Sequence, residues 1–187
     1  MTISNESRDR IKHAFEPIAL ALGRAGLTPN ALTLVGFAIT AFGAVLVGLQ
    51  AWLVGGLVVF LGGVFDKLGE IIVFIGVVAG MQAAGAAELP ILVAVAAMGA
   101  SIMVSYARAK SDGLGYSAGM GLAAVGIMPR EIRLVIISLG IVLTATGIGI
   151  TALEFALGVI LVGALITVTQ RILFVRSQDQ RTPTRPQ

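Results

Sequence analysis

Asp66, Lys67 and Glu70 put three charges into five positions of an otherwise apolar stretch, GGVFDKLGEII at residues 62–72. If that stretch is helical, Asp66 and Glu70 stand at i and i+4 on one face, close enough to share a hard cation such as magnesium, with Lys67 to the side. Two carboxylates make few ligands for such an ion. Magnesium fills its remaining positions with water or phosphate oxygens, which a pyrophosphate-bearing substrate would bring. The same residues serve equally well as a solvated turn whose charges stop two helices at a membrane edge, although ionisable groups near membrane depth point to function.

A second group of polar residues runs from Tyr106 to Arg133, YARAKSDGLGYSAGMGLAAVGIMPREIR. Arg108 and Lys110 leave one apolar run, Arg130 and Arg133 enter the next, and Arg171 ends the last. Cations converging at one membrane face suit an anionic, phosphate-bearing ligand, with arginine supplying bidentate geometry. For any single one of them the ordinary anchoring of helix ends to lipid headgroups is the better reading, because nearly every membrane protein carries such cations. The glycines of DGLGYSAGMG fit neither GxGxxG nor the Walker pattern and come after no strand, so they read as a connector. His13 stands alone and reads as an interfacial residue rather than a base.

The elements that must position these groups are set by composition. The chain has 187 residues, 57% hydrophobic and 12% charged, with a mean hydropathy of +0.96. That is too apolar for an ordinary soluble domain and predicts a membrane protein. With no cysteine and one histidine, disulfides, thiolate or polyhistidine metal sites and cysteine nucleophiles are excluded. The charged N-terminus lacks the short apolar core and cleavage site of a signal peptide, so the mature chain is expected to begin near Met1. No nucleic-acid partner is expected.

A bilayer span needs about 17 to 25 apolar residues. Runs of that kind lie at Ala31 to Leu49, Ile71 to Ala87, Leu89 to Tyr106, Leu134 to Thr151 and Leu153 to Thr169. Ala51 to Phe65 is a sixth, shorter run: about 15 residues rise roughly 22 Å against an apolar thickness of about 30 Å. Glycines within the runs permit close helix packing. With six spans, Arg8, Arg10, Lys12, Arg24, Lys67, Arg108, Lys110, Arg130, Arg133, Arg171, Arg176, Arg181 and Arg185 all fall on one side. The positive-inside rule then places both termini in the cytoplasm of a multi-pass protein of the cell membrane.

The expected fold is therefore all-α, a six-transmembrane-helix bundle. Residues 1–30 form an amphipathic interfacial segment, with Ile11, Phe15, Ile18 and Leu22 at helical spacing and a bend at Pro17. Residues 31–175 are the transmembrane domain, and 176–187 a disordered basic tail.

These segments, in this order, resemble the CDP-alcohol phosphatidyltransferase family over nearly the whole chain. The resemblance rests on GLTPNALTLVG at Gly26 to Gly36, GGVFD, DKLGEIIVFIG at Asp66 to Gly76, SYARAKSDGLG at Ser105 to Gly115, PREIRLVI at Pro129 to Ile136, and TQR at Thr169 to Arg171. It implies a six-helix enzyme in which an acceptor hydroxyl attacks the phosphate next to the lipid glycerol of a CDP-lipid and CMP leaves. The YARAK and EIRL segments look like the branch using inositol phosphate. On that likeness Pro29, Asn30, Ala31, Leu32 and Thr33 lie near the CDP-lipid. Arg108, Lys110, Arg133 and Arg171 lie near the acceptor phosphate, Asp66 is the catalytic carboxylate, and Asp66 and Glu70 hold Mg2+ or Mn2+. The implied partners are membrane lipids, CDP-diacylglycerol or CDP-archaeol, and inositol phosphate or another alcohol; a homodimer is compatible with the likeness.

The family signature is DxxDGxxAR, eight residues, then GxxxDxxxD, whose four aspartates hold two divalent ions. Here GGVFD resembles the lead-in to the first aspartate, and DKLGEIIVF resembles the fourth aspartate with the residues after it, so Asp66 answers to both. The DG, the AR, the middle glycine and two further aspartates have no counterpart. An in-frame loss of about 25 residues would leave this pattern. Two other readings stand beside the enzyme: a non-catalytic homologue or deletion product with the same fold, and a small transporter using Asp66 and Glu70 as an acidic pair.

Overall fold

The computed structural model describes residues 29–65, 69–113, 125–146 and 148–179. The N-terminal amphipathic segment, Asp66, the glycine-rich connector and the end of the tail lie outside the described residues.

Among the described residues every regular element is helical. α1 runs Pro29–Gly48, α2 Trp52–Phe65, α3 Glu70–Ala83, α4 Glu88–Gly113, α5 Arg130–Thr144 and α6 Thr151–Asp179. Each of the six predicted runs holds a helix, but those predicted over Ile71 to Ala87 and Leu134 to Thr151 stop early, at Ala83 and Thr144. α1 opens on Pro29, a residue suited to a first turn because its missing N–H would have no partner there. It stops at Gln50, which takes a left-handed φ of 63°, while the Ala51 amide reaches back to the Leu46 carbonyl. α3 ends in the same way, with Gly85 at φ 75° and the Ala86 amide on the Met81 carbonyl. A glycine adopts this conformation without strain; Gln50 does not.

Two helices outrun their apolar sequence. α4 continues past Tyr106 to Gly113, and α6 continues to Asp179, into the segment read from sequence as a disordered tail. The reason is local in α4, where Ala107, Arg108, Ala109 and Lys110 are strong helix formers that carry the helix beyond its apolar part. Among the described residues these two are also the helices long and apolar enough to cross a membrane, over Glu88–Ser111 and Thr151–Ser177, with mean hydropathies of 2.0 and 2.2. Shorter apolar helices lie at Thr33–Gly48, Trp52–Val64 and Glu70–Ala83. Large apolar side chains are widely exposed, among them Leu34, Phe42, Leu53, Leu89, Phe155 and Leu173. Such an apolar exterior marks a membrane protein, since water would penalise it.

The principal helix contacts close into a ring: α1 packs on α2, α2 on α5, α5 on α6, α6 on α4, α4 on α3, and α3 back on α1. One buried cluster draws on every helix, including Val47, Val59, Phe74, Met81, Ile141 and Leu157. Around α1 the packing is backbone to backbone. A Cβ at Gly43 would lie 2.8 Å from the Val59 amide nitrogen, and one at Gly55 2.9 Å from that of Val47. At Gly76 it would collide with the Ala44 carbonyl. Small residues are what let apolar helices approach when lipid is as apolar as the core. Three buried threonine hydroxyls are satisfied within their own helices: Thr40, Thr144 and Thr167 donate to the carbonyls of Gly36, Gly140 and Gly163 at 2.8 to 2.9 Å.

Candidate active site

The charged residues singled out in the sequence fall into two groups. The first lies where α2 ends, α3 begins and α5 begins. Glu70 stands in the first turn of α3, where the helix dipole favours an anion. Arg133 in the first turns of α5 donates Nε to Glu70 Oε1 at 2.8 Å and Nη2 to Oε2 at 3.0 Å. Its Nη1 donates to the Met128 carbonyl at 3.0 Å. Arg133 is buried, and Glu70 is one-fifth exposed. Arg130 donates Nη1 to the Gly63 carbonyl at 3.2 Å, close to the C-terminal end of α2 where a cation complements the dipole. A small cleft beside this group is lined by Thr40, Gly63, Gly69, Glu70, Phe74 and Arg130, among others.

The second group lies between α4 and α6. Arg171 is buried at 4% exposure. Its Nε donates to the Val125 carbonyl at 3.0 Å, and its Nη1 to the Val104 carbonyl of α4. Arg108 stands one turn beyond Val104 on the same face of α4, and Arg108 and Lys110 are exposed. Pro29, Asn30, Ala31, Leu32 and Thr33 form the first turn of α1.

The segment 125–129 joins the two groups. Arg171 holds its Val125 carbonyl, Arg133 its Met128 carbonyl, and Thr167 Oγ1 accepts from the Met128 amide at 3.0 Å. Gly126, at φ 118°, lies against Thr167 where any Cβ would collide. Thr167 is thus a site-forming residue to which sequence alone assigned no role, while Arg130, read there as one of the converging cations, is held by the Gly63 carbonyl. The signal for Thr167 was its place four residues before Arg171, on the same face of α6.

The described residues do not fit a metal centre. They contain no group of three or more His, Cys, Asp or Glu side chains able to hold an ion, and both oxygens of Glu70 accept from Arg133.

The likeness of this chain to the CDP-alcohol phosphatidyltransferase family holds in sequence and in fold. In sequence it is similar to the archaetidylinositol phosphate synthase of Pyrococcus horikoshii. The two are 28% identical over 163 residues, covering 76% of this chain and 84% of that protein. In fold it is similar to the Mycobacterium tuberculosis phosphatidylinositol phosphate synthase with CDP-DAG bound, with a TM-score of 0.71 and 22% identity, covering 85% of this chain and 92% of that one. The same enzyme in complex with manganese and citrate also gives a TM-score of 0.71, at 23% identity, covering 86% and 88%. No family model matches the chain.

Proposed function

We propose that this protein is a phospholipid-headgroup transferase of the CDP-alcohol phosphatidyltransferase type. It moves a phosphatidyl or archaetidyl group from CDP-diacylglycerol or CDP-archaeol to an alcohol acceptor, inositol phosphate, and releases CMP. The observation that carries this reading is the sequence match to an archaetidylinositol phosphate synthase along 76% of the chain. The bundle it shares with a phosphatidylinositol phosphate synthase bound to CDP-DAG and the cations at its helix ends support it.

In this reading the acceptor hydroxyl oxygen forms a bond to the phosphorus that carries the lipid glycerol. The bond from that phosphorus to the oxygen of CMP breaks, and CMP leaves with the electron pair. Asp66 takes the acceptor proton. The first turn of α1, Pro29 to Thr33, lies against the CDP-lipid. Arg108 and Lys110 meet the acceptor phosphate, while Arg171 and Arg133 hold the 125–129 segment behind it. Six spans with both termini cytoplasmic place all of these groups on one face. The experiment is transfer of labelled inositol phosphate to CDP-diacylglycerol or CDP-archaeol in membranes carrying the protein. Labelled lipid and CMP appearing together is the expected result, and no transfer above empty membranes would reject the catalytic reading.

A second reading, a non-catalytic homologue or deletion product of the same fold, draws support from two observations. Glu70 is engaged by Arg133, and the alignment to the archaeal relative is longer than the part of this chain it contains. Its 163 positions take in 76% of 187 residues, or about 142, so about 21 positions face none of this chain. That is close to the loss of about 25 residues that the incomplete signature implies. CDP-lipid binding without turnover would select this reading. Transport through an Asp66–Glu70 acidic pair draws no support from a Glu70 held by Arg133.

A further inference from the structure

Arg133 carries a full charge into the first turns of α5 while only 2% exposed. The dipole at a helix N-terminus disfavours a cation, and a buried guanidinium without a partner is strongly destabilising. Glu70, 63 residues away in sequence, matches it as a planar fork, with two parallel hydrogen bonds of 2.8 and 3.0 Å. The third nitrogen of Arg133 is engaged by Met128. One α-turn back along α5, Arg130 reaches the Gly63 carbonyl near the end of α2. The ends of α2 and α3 are thereby fixed to α5 by groups of the protein itself. A cation approaching Glu70 would have to displace Arg133 and leave its guanidinium buried.

We propose that Glu70 is the counter-ion of a positioning clamp centred on Arg133, which fixes the α2–α3 junction to α5 without a divalent metal and withholds the Glu70 carboxylate from one. The clamp gives Arg133 a positioning role in place of contact with the acceptor. It stands on the ion-pair geometry alone, so it is independent of whether the chain turns over a CDP-lipid.

The test is a titration of the purified full-length protein in detergent with Mn2+, reading free ion by electron paramagnetic resonance. Wild type and Glu70→Gln should bind Mn2+ alike. Arg133→Gln should bind it more tightly, because Glu70 is released, and the gain should vanish in the double variant; a merely structural arginine would produce no such Glu70-dependent gain. A weakening of wild-type affinity by about tenfold or more on Glu70→Gln, the size expected for loss of a metal-site group, overturns the proposal, as does an Arg133→Gln variant that gains nothing. Should Arg133→Gln not fold, the wild type and Glu70→Gln decide between them. Should neither variant fold, thermal unfolding of the wild type decides. An unchanged midpoint between Mn2+ and chelator supports the clamp, and a midpoint raised by Mn2+ overturns it. Failure of the transfer assay leaves these outcomes untouched.

Discussion

The helices around α1 and the segment between α4, α5 and α6 are held together by opposite means. At α1 there is nothing between the backbones: Gly43, Gly55 and Gly76 bring α2 and α3 onto it with no room for a methyl group. At the 125–133 segment the backbone is gripped from a distance by long side chains, Arg171 on Val125 and Val104, Arg133 on Met128 and Glu70. Both answer one physical problem. In an apolar solvent burial of hydrocarbon does not drive helices together, so either dispersion at close range or charge-assisted hydrogen bonds must do so. The first region depends on shape and the second on chemistry, so they should fail under different substitutions.

Arg133→Ala should be the most damaging change. It takes both donors from Glu70 and the donor from the Met128 carbonyl, and about 3–5 kcal/mol is the usual cost of breaking a buried pair; thermal unfolding in detergent measures it. Gly76→Ala attacks the shape-dependent region, because the added methyl meets the Ala44 backbone rather than a flexible side chain. Overpacking of that kind costs about 1–3 kcal/mol. Gly158→Ala, with open space at the same position of the side chain, should change stability by less than about 0.5 kcal/mol. If the two glycines respond alike, close approach is not what holds α1. Thr167→Val keeps volume but removes the acceptor of the Met128 amide, at about 1–2 kcal/mol. Amide hydrogen exchange at Met128 should rise selectively. Smallest is Gln50→Gly, which relieves a left-handed non-glycine residue and should raise stability by up to about 1 kcal/mol, read as an upward shift in the unfolding midpoint.

The same contrast explains what was legible in the sequence. Helices are local, so composition and run length located all six, with α1 predicted from Ala31 and found from Pro29. The helix ends past Tyr106 and Thr169 were not legible from hydropathy, because polar helix formers continue a helix that apolar counting ends. Glycines announced close packing in general, but the particular partners, Ala44 for Gly76 or Thr167 for Gly126, depend on the ring order of the helices. The cations were legible as a group at helix ends. That Arg133 is bound to a glutamate 63 residues earlier, and Arg171 to a carbonyl 67 residues earlier, are long-range pairings with no local signature.

Finally, α2 and α3 are 14 residues each, while α4 has 26 and α6 has 29. At 1.5 Å per residue the first two are about 21 Å long and the others about 39 and 44 Å. In the ring, α3, α1 and α2 are consecutive, and α6 and α4 are neighbours on the far side. Against an apolar thickness of about 30 Å, α2 and α3 fall about 9 Å short, while α1 between them, with 20 residues, matches it and α4 and α6 exceed it. Lipid around the protein would meet helices of unequal length. Short-chain or disordered lipids would gather at the α2–α3 flank, and headgroups there would be drawn down toward Glu70 and Arg133.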